Sequence, residues 1–131
     1  MAASTFLREA ILNYIRGTQM PTPPTTIYLS LHNGDPGLTG ATEVGASVGY
    51  ARQLVTLTAP LDSGTDEIIE NTAILTFGPA VSVGFGLVTH LGFWSAVTAG
   101  NFLNGGVTTN RTVVAGDSYV FAAGEAEFSL R

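Results

Sequence analysis

The sequence has no cysteine and no lysine. Without cysteine there is no disulfide framework, no thiolate metal site and no thiol nucleophile. Charge of either sign is scarce: Asp, Glu, Lys and Arg together make up 11% of the 131 residues, against about a quarter in an average globular domain. The five cations are Arg8, Arg16, Arg52, Arg111 and Arg131, and ten carboxylates bring the formal net charge to −5. An acidic chain without a basic cluster lacks the phosphate-neutralising surface that supplies most nucleic-acid affinity, so no nucleic-acid partner is expected.

From Asn71 to Asn110 charge disappears altogether and only His90 can ionise. Gly84, Gly86, Gly92 and Gly100, with Ser82, Thr89 and Ser95, interrupt this stretch, so it does not supply the roughly 20 apolar residues of a spanning helix. A membrane barrel of eight or more strands of about ten residues would demand more chain than is present. No basic leader followed by an apolar stretch opens the sequence, so neither a membrane nor a secretion signal is expected. What is abundant is apolar character, 45% of residues with a mean hydropathy of +0.31, which marks a folded chain. The length fits one domain with a sizeable core.

Phe6, Leu7, Ala10, Ile11, Tyr14 and Ile15 form one helical stripe. Ser4 or Thr5 can cap it, Gly17 suits its end, and Pro21, Pro23 and Pro24 forbid its continuation. A helix of about 12 residues is marginal alone and must pack on its own sheet or on a neighbour. Residues 1–20 thus form a helical segment and 21–131 a β-sandwich, within one domain. Strands are expected at Thr26–His32, Tyr50–Thr58, Ala73–Phe77, Val83–Ala96, Phe102–Leu103, Val107–Val114, Ser118–Ala122 and Ala126–Leu130, with a further short one or an irregular crossing at Ile68–Ile69. Turns are expected at Asn33–Gly37, Pro60–Gly64, Asn104-Gly105-Gly106 and Ala115-Gly116-Asp117. About eight short strands with one N-terminal helix predict a mainly β fold, a sandwich or jelly roll.

Reactive chemistry is thinly represented. A Ser-His-Asp set would have to use His32 or His90, for example His32 with Asp35 and a serine, but His90 in an uncharged strand reads as a structural histidine. Asp35, Glu43, Asp62, Asp66, Glu67 and Glu70 could furnish paired carboxylates, yet Asp66, Glu67 and Glu70 read as a solvated face, and the calcium-loop pattern is absent. Gly84-Phe85-Gly86 and Gly105-Gly106 lack the surroundings of a phosphate cradle. No catalytic residue, metal ligand or cofactor is expected. The aromatic load of the uncharged segment points elsewhere. On a regular strand Phe85 and Phe93 share one face and Trp94 takes the other. One of those faces is expected to be buried by a partner, because large neutral patches are unusual on monomers and lysine, which commonly blunts strand edges, is missing. An obligate oligomer with Phe85, Phe93 and Trp94 at its interface is therefore expected. The loop Asn33–Gly49, with Asn33, Asp35 and Glu43, is expected to meet a second partner, since it is long, glycine-rich and has no evident internal role.

Several segments, taken in order, carry a resemblance. They are Arg16-Gly17-Thr18, Thr26-Ile27-Tyr28-Leu29-Ser30-Leu31-His32, Gly34-Asp35-Pro36-Gly37, Glu43-Val44, Gly49-Tyr50-Ala51-Arg52-Gln53, Asn71-Thr72-Ala73, Val88-Thr89-His90-Leu91-Gly92, Val114-Ala115-Gly116-Asp117 and Phe121–Gly124. Together they resemble a family of small tailed-phage virion proteins, often labelled tail fibre proteins, with relatives that act as capsid cement or decoration proteins. The resemblance implies a non-enzymatic, trimeric β-sandwich on the outside of a virion. Size favours cement, since no long shaft or separate receptor-binding tip is evident. The expected partners are then sister copies and the major capsid protein, on the outer capsid surface, where a ligand of the assembled lattice stabilises it by mass action and avidity. The alternative is a tail fibre or appendage that meets tail proteins or host glycan, with Tyr28, Tyr50, Trp94 and Tyr119 as aromatic platforms.

Overall fold

The computed structural model describes residues 2–130. Strand β1 (Ala2–Ala3) leads into helix α1 (Thr5–Ile15), and nine further strands follow: β2 (Ile27–His32), β3 (Gln53–Val55), β4 (Leu61–Ser63), β5 (Asp66–Glu70), β6 (Leu75–Phe77), β7 (Gly86–Trp94), β8 (Phe102–Val113), β9 (Tyr119–Phe121) and β10 (Glu127–Leu130). All pairings are antiparallel. A five-stranded sheet runs β1-β8-β7-β2-β3, opposed by a three-stranded sheet β10-β5-β4 and a two-stranded one β6-β9. The mainly β architecture with a single α-helix matches the sequence expectation of a small sandwich.

The core lies between these sheets. Leu29 and Leu31 from β2, Val88, Leu91 and Phe93 from β7, and Leu103 and Val113 from β8 meet Leu75, Phe77, Tyr119, Phe121 and Ala126. Phe93 packs on Phe128 of β10 with ring centres 5.2 Å apart, and Phe77 meets Phe121 edge-on at 6.0 Å. Along β7 the core-facing positions step from Val88 to Leu91 and then to Phe93, because the pairing with β8 shifts register between Val88 and His90. A bulge of this kind re-aims side chains, so strict alternation fails there.

Two expected turns are strand instead. Leu61–Ser63 pairs with Asp66–Glu70 as a hairpin. Asn104-Gly105-Gly106 lies inside the 12-residue β8, paired with Leu91, Gly92 and Phe93. The glycines serve close approach rather than a turn: a Cβ on Gly105 would stand 2.6 Å from Pro36 Cγ, and one on Gly92 would stand 2.7 Å from Ser30 Oγ and 2.8 Å from His32 Nε2. Something is packed directly on this face of the sheet, and it belongs to the chain itself.

Candidate functional site

The covering element is the 33–49 loop. Its backbone is tied to β2 by Asn33 N–H to Thr42 O at 3.0 Å, Val44 N–H to Leu31 O at 3.0 Å and a bridge between His32 and Glu43. Pro36 is buried. Beneath the loop, Ser30, His32, Gly92, Trp94 and Phe102 make up the outer face of the large sheet, with Trp94 and Phe102 in ring contact at 5.1 Å.

A polar network holds the loop down. Arg52 forks onto Glu43, Nε to Oε2 and Nη2 to Oε1, both at 2.8 Å. Its Nη1 donates to the carbonyls of Ala96 and Ala99, both at 2.9 Å, and its guanidinium lies 3.7 Å from the Trp94 ring centre. Tyr50 donates to Glu43 Oε2 at 2.6 Å and accepts from Leu31 N–H at 3.1 Å. Burial alone would raise the Glu43 carboxyl, but Arg52 and the Tyr50 hydroxyl outweigh it and hold the group below the usual range. Burial, then the bond to Glu43, pushes the Tyr50 phenol up. Arg52 therefore joins two loops across the edge of the sheet, a geometry that its planar fork suits and an ammonium would not.

His32 lies one step further in. Its Nδ1 donates to Ala41 O at 2.7 Å, which leaves Nε2 to accept from Ser30 Oγ at 2.7 Å, and Ser30 Oγ in turn accepts from Trp94 Nε1 at 2.9 Å. Burial holds this imidazole below its ordinary pKa despite the opposing pull of Ala41 O and Glu43. A serine bonded to a histidine resembles a nucleophile and its base, but both residues are 0% exposed and the serine oxygen already holds the indole proton. The pair braces the loop. Gly45-Ala46-Ser47-Val48-Gly49 has the Gly-x-Ser-x-Gly spacing of a nucleophile elbow, which corrects the expectation that the sequence holds none. Here it forms a 3-10 turn over Ala46–Val48 rather than a strand-to-helix corner, and no histidine bonds Ser47 among the described residues. Among the described residues no group of His, Asp and Glu is placed to hold a metal ion, and no helix is long and apolar enough to cross a membrane.

The residues expected at interfaces mostly have internal duties. Phe85 and Phe93 share the core and Trp94 takes the opposite face of the sheet, but all three are buried by their own chain at 3%, 0% and 8% exposure. The loop covers Trp94, with Gly40 lying directly against the indole ring. Asn33 donates from Nδ2 to Phe85 O at 2.9 Å and Leu87 O at 2.8 Å. Asp35 accepts from Gly37 N–H at 2.8 Å, and Glu43 is the latch. Of the four aromatic platforms, Tyr50, Trp94 and Tyr119 are buried and Tyr28 is half-buried.

Apolar side chains stay open at the N-terminal segment, as they do at Val83 and Val107, which are 83% and 78% exposed. Ser4 caps α1 by accepting from Leu7 N–H at 3.0 Å, and Ser4 N–H donates to Leu103 O at 2.9 Å, which anchors the first turn on β8. Ala10 is buried, but Leu12, Tyr14 and Ile15 in the last turns are 64%, 64% and 73% exposed. Between α1 and the proline segment runs a groove of about 550 Å³, lined by Phe6, Leu7, Ala10, Met20, Pro21 and Phe128 among others. A shallower pocket of about 220 Å³ on the far side of Phe128 is lined by Pro60, Glu67, Ile68, Ile69 and Leu130. A third cavity, about 400 Å³ and polar, lies between β8 and β9, where the Arg111 guanidinium stands 5.1 Å from the Tyr119 ring centre.

No curated protein sequence matches the chain. A family model described as Podophage GP4 fiber I protein gp80 matches residues 2–129. The match spans the whole helix, the whole large sheet and the latched loop, and the chain belongs to this family of phage fibre proteins.

Proposed function

We infer that the protein is a non-enzymatic module of a phage tail fibre that works as an assembly of copies on the outside of the particle and serves host adhesion through that assembly. The observation that carries this reading is the family match over residues 2–129, whose description names a fibre. The fibre reading is thereby favoured over the capsid cement reading that chain size alone suggested. Support for a structural rather than a catalytic role comes from the buried Ser30–His32 pair. Support for association comes from the uncovered apolar turns of α1. The buried aromatic rings offer little stacking surface to a sugar, so the reading gives this chain a scaffolding part in adhesion.

Antibody labelling of intact virions, read by electron microscopy at a resolution that separates head from tail, tests the proposal. Label on tail appendages is expected, together with slower host adsorption when the antibody is bound. Label on the head, with raised heat tolerance of undecorated heads after the purified protein is added, would overturn it in favour of cement.

A further inference from the structure

Helix α1 is apolar on two sides, and only one of them is used. Successive residues turn by about 100°, which puts Leu12 and Ile15 opposite the buried Ala10, with Arg8 and the C-capping Arg16 on the same outward stripe. An apolar helix side left open in this way is a candidate contact surface. Charge is also unevenly divided: residues 1–20 hold two of the five arginines and one of the ten carboxylates, leaving nine carboxylates against three arginines in the remainder. The complementary surface lies on the three-stranded sheet. Cross-strand partners share a face, so the pairings Asp62 with Glu67, Glu67 with Leu130 and Ile69 with Phe128 put two carboxylates and an apolar floor on one side. Its open end is the pocket lined by Pro60, Glu67, Ile69 and Leu130. Glu67 is exposed there, and Leu130 is 39% exposed.

We propose that the outward stripe of α1, Leu12 and Ile15 between Arg8 and Arg16, docks on the Ile69–Leu130 pocket of a second copy of this chain, with the arginines facing Asp62 and Glu67. The contact joins two different patches, so repetition closes a ring or extends a filament according to the rotation between copies. The inference rests on the self-association put forward under Proposed function and names the surface that would carry it.

The native chain, sized by analytical ultracentrifugation over a concentration series, is expected to associate. Ile15→Asp is expected to raise the concentration of half-association by about tenfold or more, a change of about 1.4 kcal/mol. Glu67→Arg should do the same, and circular dichroism should show both variants folded, since both positions are exposed. Because the native chain has no cysteine, covalent capture is clean. Copies with Ile15→Cys mixed with copies with Leu130→Cys should form mixed disulfide dimers under mild oxidation, while neither variant alone should. Association unchanged by both charge variants, or covalent dimers from Ile15→Cys alone, would overturn this surface and leave self-association standing. A native chain that stays monomeric at high micromolar concentration would overturn both.

Discussion

The outer face of the large sheet and the outer face of α1 begin with the same problem, apolar side chains on both sides of one element, and the molecule treats them differently. Over the sheet, the 33–49 loop is laid on Trp94 and Gly105 and fastened by the Arg52–Glu43 fork. Over the helix none of the described residues is laid, and Leu12 and Ile15 stay open. The difference shows that a scarcity of charge does not by itself call for a second subunit. A chain can cover its own neutral sheet if it invests one well-formed ion pair in holding the cover closed. What remains uncovered afterwards is the better guide to a partner.

The comparison breaks first at Arg52. Arg52→Ala would leave Glu43 and its bonded Tyr50 without a cation in a site where Arg52 and Glu43 are only 8% and 21% exposed. Removing one partner of such a pair costs about 3–5 kcal/mol, so the thermal midpoint should fall by about 10 °C or more. Trp94, the single tryptophan, lies under the guanidinium, and its emission should shift to the red as the cover loosens. Arg52→Lys should recover only part of the loss, because it keeps the charge and forfeits the fork. A midpoint within about 2 °C of the parent's would mean that packing alone keeps the loop down.

A smaller break should come from the sheet side. Gly105→Ala puts a methyl 2.6 Å from Pro36 Cγ and 2.9 Å from Phe102 Cζ, and forced overpacking of this kind costs about 1–3 kcal/mol. Denaturant unfolding with Trp94 emission as the probe should report the loss together with a red-shifted native baseline. A destabilised variant with parent-like emission would place the strain in β8 rather than under the loop.

Acid should act in the same place. His32 is held below its ordinary 6.5 in the folded chain, so the unfolded chain binds the extra proton first and stability is lost as pH falls below about 6.5. Glu43, held below its ordinary 4.5, keeps its contribution above that value and loses it on further acidification. The expected slope from His32 alone is at most about 1.4 kcal/mol per pH unit. Thermal midpoints between about pH 8 and pH 5 measure it, and a flat profile would mean that the imidazole takes up its proton without disturbing Ser30 or Ala41.

Much of this fold is legible in the residues, and the failures share a cause. The helix with its Ser4 cap, the alternation of Leu29 and Leu31 against Ser30 and His32, and the opposite facing of Phe93 and Trp94 all follow from local period. Asn104-Gly105-Gly106 misleads because a glycine that admits a neighbouring chain looks the same in sequence as one that turns. The loop's duty is hidden for a similar reason. Its partners Trp94 and the carbonyls of Ala96 and Ala99 lie more than 40 residues beyond Arg52, and no local pattern records such distant pairing. One signal was available: in a chain so poor in charge, an arginine nine residues from a glutamate invites pairing. Glu43 stood out in the sequence as a candidate contact for a partner, and its partner is its own Arg52.

The smallest expected effect sharpens the comparison from the helix side. Leu12 touches little in the folded chain, being 64% exposed, so Leu12→Ala at a concentration where the protein is monomeric should change unfolding stability by no more than about 0.5 kcal/mol. Alanine also favours a helix slightly more than leucine, which offsets part of any lost contact. The same substitution at high concentration should lower the thermal midpoint relative to the parent, because association stabilises only the chain that can associate and makes its midpoint rise with concentration. A latch residue behaves in the opposite way, with a loss that is large and independent of concentration. If Leu12→Ala instead cost 2 kcal/mol or more in the monomer, the order expected for a buried leucine, its side chain would be packed within its own fold, and the contrast between a covered sheet and an open helix would disappear.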